Sequence, residues 1–386
     1  MKILDVNEFY AERGGGVRTY VHAKLEAAHR EGHQMVIVAP GPEAGETPRL
    51  GGKIVWVQGP PMPVDPRYFV LYREQAVRAI IDAEAPDVLE GSSPWTAGWF
   101  AARYPGKVPR AFIYHQDPVA VYPHTFLDRW IPAASIDRLC APYWAYVRRL
   151  ANQFDRTVVA GEWLAERLRS FGISQAITVP FGIDRSLFSP ELQSESVRRD
   201  LLTRCGVSPG AALLVAVSRH HPEKRLATLI SAMATLNKTR EVGLVVFGDG
   251  PFRRRYERLA RDVKGVHLAG FVSDRAWIAQ CLASADALLH GSAAETFGFV
   301  VAEALCSGTP AVVPNRGGAF ELVDASCAEI YEPGDSQGCA EAVIRLLSRD
   351  RRTLGAAALK LAEGRVITQN EHFVRLFAAY QGLARE

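Results

Sequence analysis

No excess of charge of either sign marks this chain of 386 residues: 45 basic and 42 acidic side chains leave a formal net charge of +3. That balance removes the global electrostatic argument for a nucleic-acid partner. Metal-binding cysteine patterns are lacking too. The six cysteines, at positions 140, 205, 281, 306, 327 and 339, form no C-x-x-C pair, and none neighbours a histidine at ligand spacing. They read as reduced, structural thiols. There is no G-x-S-x-G elbow and no cysteine with an obvious base, so neither nucleophile pattern is present. The opening residues Met1-Lys2-Ile3-Leu4-Asp5-Val6 read as a strand and lack the apolar core of a secretory signal. No apolar run reaches the roughly 18 residues of a spanning helix. The expectation is a cytoplasmic protein.

What is there is a long chain, 48% hydrophobic, that fits two cores better than one. Short β-branched runs alternate with helical patterns. Strands are expected at 2–6, 34–39, 53–57, 87–90, 110–115 and 156–160, then at 212–217, 242–247, 266–269, 287–290 and 311–314. Helices are expected at 17–31, 68–84 and 138–153, then at 224–237, 252–263, 298–307 and 337–348. Such alternation implies α/β architecture with parallel sheets and right-handed crossovers. Pro180-Phe181-Gly182-Ile183-Asp184 and Ser189-Pro190 punctuate a break near 180–200. The pattern predicts two doubly wound, Rossmann-like domains with a cleft between them. A last amphipathic helix, over 369–384, has no partner visible in the sequence.

Candidate ligand groups sit where strands should end. Gly14-Gly15-Gly16 precedes a helix starting near Val17, where backbone can approach a ligand closely. A flexible surface loop explains the glycines equally well. A dinucleotide fingerprint does not, because no acidic residue ends the second strand. His115 ends the strand at 110–115 and Asp117 follows it, and a structural histidine is an equal alternative. Arg219 and Lys224 follow the strand at 212–217, where a bidentate guanidinium and a point charge suit phosphate; a solvated basic loop is the bland alternative. Gly248, in Gly248-Asp249-Gly250-Pro251, is a turn signal in its own right. Phe271 and Val272 suit either a nucleobase or the core. Glu295 and Glu303 flank Phe297, Gly298, Phe299 and Val300 at a helix entry, where free amides and the helix dipole favour an anion. An exposed loop acid and an ordinary helix-face acid are the alternative there.

Taken in order, these motifs resemble the family-4 glycosyltransferases of the GT-B fold. The likeness runs through Gly15-Gly16-Val17, His115, Gly161-Glu162-Trp163-Leu164, Phe181-Gly182-Ile183-Asp184, Ser218-Arg219 with Pro222-Glu223-Lys224, Gly248-Asp249-Gly250-Pro251, Gly270-Phe271-Val272, and Glu295 to Glu303. It implies an acceptor-binding domain over 1–184, a nucleotide-sugar-binding domain over 185–365 and a helix over 366–386 crossing back to the first domain. It also implies retaining transfer of a hexosyl group, with no cofactor and no required metal, from a nucleotide diphosphate sugar, GDP-mannose before a UDP-sugar, to a glycan, lipid or glycolipid. Arg219 and Lys224 would neutralise the leaving diphosphate, Glu295 would hold sugar hydroxyls, Glu303 the ribose, and His115 would lie near the sugar. Amides around Gly298–Val300 would meet phosphate or sugar oxygens, and those at Phe271 and Val272 the base. Arg225 departs from the family pattern and would add charge near the phosphates. A catalytically silent nucleotide-sugar binder and a sugar-nucleotide epimerase are the competing functions. Aromatics and arginines within 121–150 suit peripheral contact with an anionic inner membrane face, and an acceptor pocket and domain core account for the aromatics at least as well.

Overall fold

The computed structural model describes residues 1–12, 15–63 and 65–384. Gly14, the first of the three glycines, lies outside the described residues. The chain divides into two compact units. One holds Met1–His115, Leu139–Pro180 and the tail from Asn370; the other holds Gln116–Arg138 and Phe181–Gln369. Segment 116–138, assigned to the first domain by the sequence, thus clusters with the second unit.

The first unit is built on an eight-stranded sheet. Its order is Gly45–Arg49, Gly52–Gln58, Gln34–Gly41, Lys2–Val6, Val88–Gly91, Arg110–Ile113, Arg156–Val159 and Ala176–Thr178. The Gly45–Arg49 edge strand runs antiparallel and the others run parallel. The second unit carries a six-stranded parallel sheet ordered Val266–Gly270, Val242–Phe247, Ala212–Val217, Ala287–Leu289, Ala311–Pro314 and Ala328–Tyr331. The Val242–Phe247 strand is buried at every position, as a central parallel strand covered on both faces must be.

Several boundaries differ from expectation. The helix expected over 68–84 begins at Glu74. That expected over 138–153 breaks into Ala133–Leu139 and Ala141–Ala151, with Pro142 in the first turn of the second piece. The Leu226–Leu236 helix starts two residues late, because Pro222–Lys224 forms a separate 3-10 turn and Arg225 adopts φ 46°. Exposure divides the aromatics of 121–150: Tyr122, Phe126 and Trp130 are exposed, whereas Trp144 is buried. No described helix is long and apolar enough to cross a membrane.

The tail helix Gln369–Leu383 buries Phe373, Leu376, Phe377, Tyr380 and Leu383. This i, i+3, i+4, i+7 spacing presents one apolar stripe. The stripe joins the core formed by Ile3, Val21, Leu25, Met35 and Ile37, each such side chain contributing about 1.5–3 kcal/mol on burial. Beneath it lies a charged cluster. Lys24 is 1% exposed and holds Glu90, with Nζ 2.6 Å from Oε2. Tyr380 donates to the same Oε2 at 2.6 Å, Ser92 donates to Oε1 at 3.0 Å, and Asp5 lies 3.7 Å from the ammonium. Burial, and then the Glu90 charge, push the Asp5 carboxyl up to about 7. Between its ordinary value and pH 7 the folded chain therefore binds a proton that the unfolded chain has released, so Asp5 lowers stability as pH rises through that window. Replacing Asp5 by Asn is expected to remove this fall. The thermal midpoint difference, variant minus wild type, should grow from pH 5 to pH 7.5; a difference independent of pH would refute it.

Candidate active site

In the six-stranded sheet the strand order reverses between Ala212–Val217 and Ala287–Leu289, which are paired neighbours. The loops leaving their C-terminal ends turn to opposite sides, and open α/β sheets hold ligands at such a switch point. A small pocket forms there, lined by Val217, Ser218, Lys224, His290, Gly291 and Ser292.

The two loops meet through Lys224 and Glu295, whose Nζ and Oε1 are 2.6 Å apart. Glu223 lies 3.5 Å from the same ammonium. Burial pulls the Lys224 ammonium down, but the Glu295 and Glu223 carboxylates outweigh it and hold its pKa above the ordinary lysine value. Burial pushes the Glu295 carboxyl up, and Lys224 chiefly outweighs that, leaving it below the ordinary carboxylate value. Both partners therefore stay ionised across the neutral range. Beside them His290 is buried, and burial pulls its ring down to about 4, so it is neutral at pH 7. Arg219, on the same loop as Lys224, is exposed and makes no side-chain hydrogen bond or ion pair among the described residues.

Gly298 caps the Phe299–Cys306 helix at φ 98°, and a Cβ there would lie 2.8 Å from Ala319 Cα. Only glycine fits that conformation and approach. The amides of Phe299 and Val300, in the first turn, have no intrahelical acceptor. Phe297 is buried; Phe299 is 44% exposed and stacks on Phe181, ring centroids 5.0 Å apart. Glu303 sits one turn further along, 4% exposed, and is paired with Arg275. Burial pushes its carboxyl up despite that partner. The two glutamates thus take different cations.

Other expected contacts have local explanations. Gly248, at φ 125°, passes so close to the Ser218 carbonyl that any Cβ would overlap it; packing alone demands glycine there. Gly15 and Gly16 are the reverse case, since a Cβ at either would meet no protein atom within 4 Å. Val17 is 39% and Phe271 73% exposed, and Val272 is partly exposed. Asp117 is fully buried, and its Oδ1 accepts from the Val119 and Ala120 amides at 2.9 and 3.0 Å. Its Oδ1 thus has a helix-capping role. His115 belongs to the first unit, edge-on to Tyr20 at 6.2 Å. Burial pulls its pKa down to about 3, so it is a neutral ring at pH 7. Arg225, expected to add charge near phosphate, has its backbone at φ 46° and its guanidinium donating to Asp128 at 2.5 Å. Asp128, Arg316, His290 and Arg275 were not singled out from the sequence; only Gly317-Gly318 after the Ala311–Pro314 strand and a histidine at a strand end offered a signal.

The chain is similar to known proteins in both sequence and fold. Residues 211–349 match the family described as Glycosyl transferases group 1, and residues 14–187 match Glycosyltransferase Family 4. The GDP-mannose-dependent alpha-(1-6)-phosphatidylinositol dimannoside mannosyltransferase of Mycobacterium tuberculosis is 30% identical over 371 residues, covering 94% of this chain and 92% of that protein. A GDP-mannose-dependent alpha-mannosyltransferase of the same species is 28% identical over 377 residues, covering 95% and 93%. Among solved structures, sucrose-phosphate synthase from Thermosynechococcus elongatus superposes with a TM-score of 0.75 at 19% identity, covering 99% of both chains. Anabaena Alr3699/HepE, in complex with UDP and glucose, gives 0.70 at 19% identity, also covering 99% of both. The structural likenesses speak for the GT-B fold.

Proposed function

The chain belongs to glycosyltransferase family 4, and from that premise we propose that it moves a mannosyl group from GDP-mannose to a hydroxyl of a glycolipid, with retention and without a metal ion. The observation that carries this reading is the ionised Lys224–Glu295 pair at the switch point of the second sheet. The choice of donor is supported by two relatives whose names specify GDP-mannose.

In this reading Lys224 and the exposed Arg219 neutralise the diphosphate as the bond from the anomeric carbon to its oxygen breaks. Fixed cations aimed at developing charge supply the role that a metal would otherwise fill. Glu295 accepts hydrogen bonds from sugar hydroxyls, and the Phe299 and Val300 amides meet phosphate or sugar oxygens. Glu303 exchanges Arg275 for the ribose hydroxyls. The backbone at Phe271 and Val272 holds the base, and Gly15, Gly16 and Val17 give close backbone access in the first unit. His115 is a neutral hydrogen-bonding ring toward the sugar. The acceptor oxygen bonds to the anomeric carbon on the face the diphosphate leaves, and its proton passes to the departing phosphate oxygen. The exposed Tyr122, Phe126 and Trp130 rest against an anionic lipid surface.

A thermal-shift series with GDP-mannose, UDP-glucose and ADP-glucose, in EDTA, tests the donor. A true donor at a hundredfold excess over its dissociation constant stabilises the protein by about 2.7 kcal/mol. Stabilisation by a UDP- or ADP-sugar alone would overturn the choice of GDP-mannose. Transfer to lipid extracts, followed by product analysis, tests the reaction; donor binding with neither transfer nor hydrolysis would mean a silent binder.

A further inference from the structure

One carboxylate ties the loop that carries Lys224 to the loop after Ala311–Pro314, which in turn bonds the backbone of Glu295. Asp128 Oδ2 accepts from Arg225 at 2.5 Å and from Arg316 at 3.0 Å. The three side chains are largely withdrawn from solvent, at 12% exposure for Asp128, 11% for Arg225 and 26% for Arg316. Arg225 directly follows Lys224 and is held at φ 46°, a conformation a non-glycine residue keeps only where its surroundings impose it. Arg316 precedes Gly317, at φ 92°, and Gly318, whose N–H donates to the Glu295 carbonyl at 2.7 Å.

The result is a closed circuit. It runs from Lys224 to Arg225, across Asp128 to Arg316, through Gly317 and Gly318 to Glu295, and back to Lys224 at 2.6 Å. Two guanidinium groups facing one another repel unless an anion lies between them. Asp128 is that anion, and it arrives on segment 116–138, far in sequence from both loops.

We propose that Asp128 is a positioning residue for the Lys224–Glu295 pair, so that the pair takes its working geometry only when segment 116–138 is docked. The inference rests on the donor-site reading given above. It adds that the segment bearing the exposed aromatics governs the chemistry through a single carboxylate. Its weight comes from the sensitivity of transfer to placement: an error of about 1 Å in a reacting constellation costs on the order of a hundredfold in rate.

The test is steady-state transfer from GDP-mannose by Asp128→Asn, Asp128→Glu and Lys224→Ala, with folding checked by circular dichroism and thermal midpoint. Asp128→Asn is expected to lower kcat by at least about tenfold, with donor KM changed less than about threefold, and Asp128→Glu to recover most of the loss. A merely structural role would lower the midpoint and leave kcat per folded molecule intact. Should Asp128→Asn fail to fold, Arg316→Met, which opens the circuit on one side and leaves the Asp128–Arg225 pair, is expected to give the same split. A kcat within twofold of wild type for the folded variant, while Lys224→Ala is inactive, overturns the inference alone. Full activity in Lys224→Ala overturns the donor-site reading beneath it.

Discussion

Lys224→Ala is expected to lower kcat for sugar transfer by about 100- to 1,000-fold, the usual loss when one preorganised group facing transition-state charge is removed. The ammonium is 18% exposed and bonded to a carboxylate that is itself 22% exposed, so water replaces it poorly. The variant also alters the pH profile. In wild type the carboxyl of Glu295 lies below its ordinary value because Lys224 outweighs burial. Without the ammonium, burial prevails and that carboxyl rises. The acid limb of kcat/KM, where Glu295 takes up a proton, should therefore move to higher pH in the variant. Lys224→Arg keeps the charge, spreads it over a planar fork and should recover only part of the rate. Initial rates of GDP release with acceptor present decide the matter, and a loss under threefold for the alanine variant would refute the role.

Lys24→Met is expected to destabilise the first unit by about 3–5 kcal/mol, the cost of leaving a buried charge without its partner. Glu90 is 1% exposed, and Lys24 is its cation. With roughly 2–4 °C of midpoint per kcal/mol for a unit of this size, the thermal transition should fall by about 6–20 °C. Adding Glu90→Gln removes the stranded charge and keeps an acceptor for Tyr380 and Ser92, so the double variant should regain most of the loss. A Lys24→Met midpoint within 2 °C of wild type would show that the pair contributes little.

Much of the architecture was legible because buried parallel strands are written as nearly unbroken apolar runs, as in Ala212–Val217 and Val242–Phe247. Lys224 and Glu295 were legible because each lies on the loop just after such a run. Gly298 was legible as the residue at a helix entry. Their partners were less so. Asp128 lies 97 and 188 positions from its two arginines, and Tyr380 lies 290 from Glu90; no local pattern encodes separations of that size. For Arg225 likewise, charge near a strand end suggests phosphate and gives no sign of the distant carboxylate that it also meets. The strand Ala328–Tyr331 and the helix Arg351–Arg365 passed unnoticed, the first because four residues carry little periodic signal.

The tail helix has a consequence for how the protein comes into being. Phe373, Phe377 and Tyr380 complete a core whose members outside this helix all precede Phe181 in the chain. The ribosome must first deliver everything between Phe181 and Gln369, which takes roughly 10–40 s at ordinary elongation rates. Until then the nascent first unit waits with an open apolar seam and a half-satisfied Glu90, while the stretch made in between has all its own strands to hand and can finish ahead of it. Of the two units, the one whose strands come first in the chain is thus the last to close, and chaperones have that interval in which to bind it.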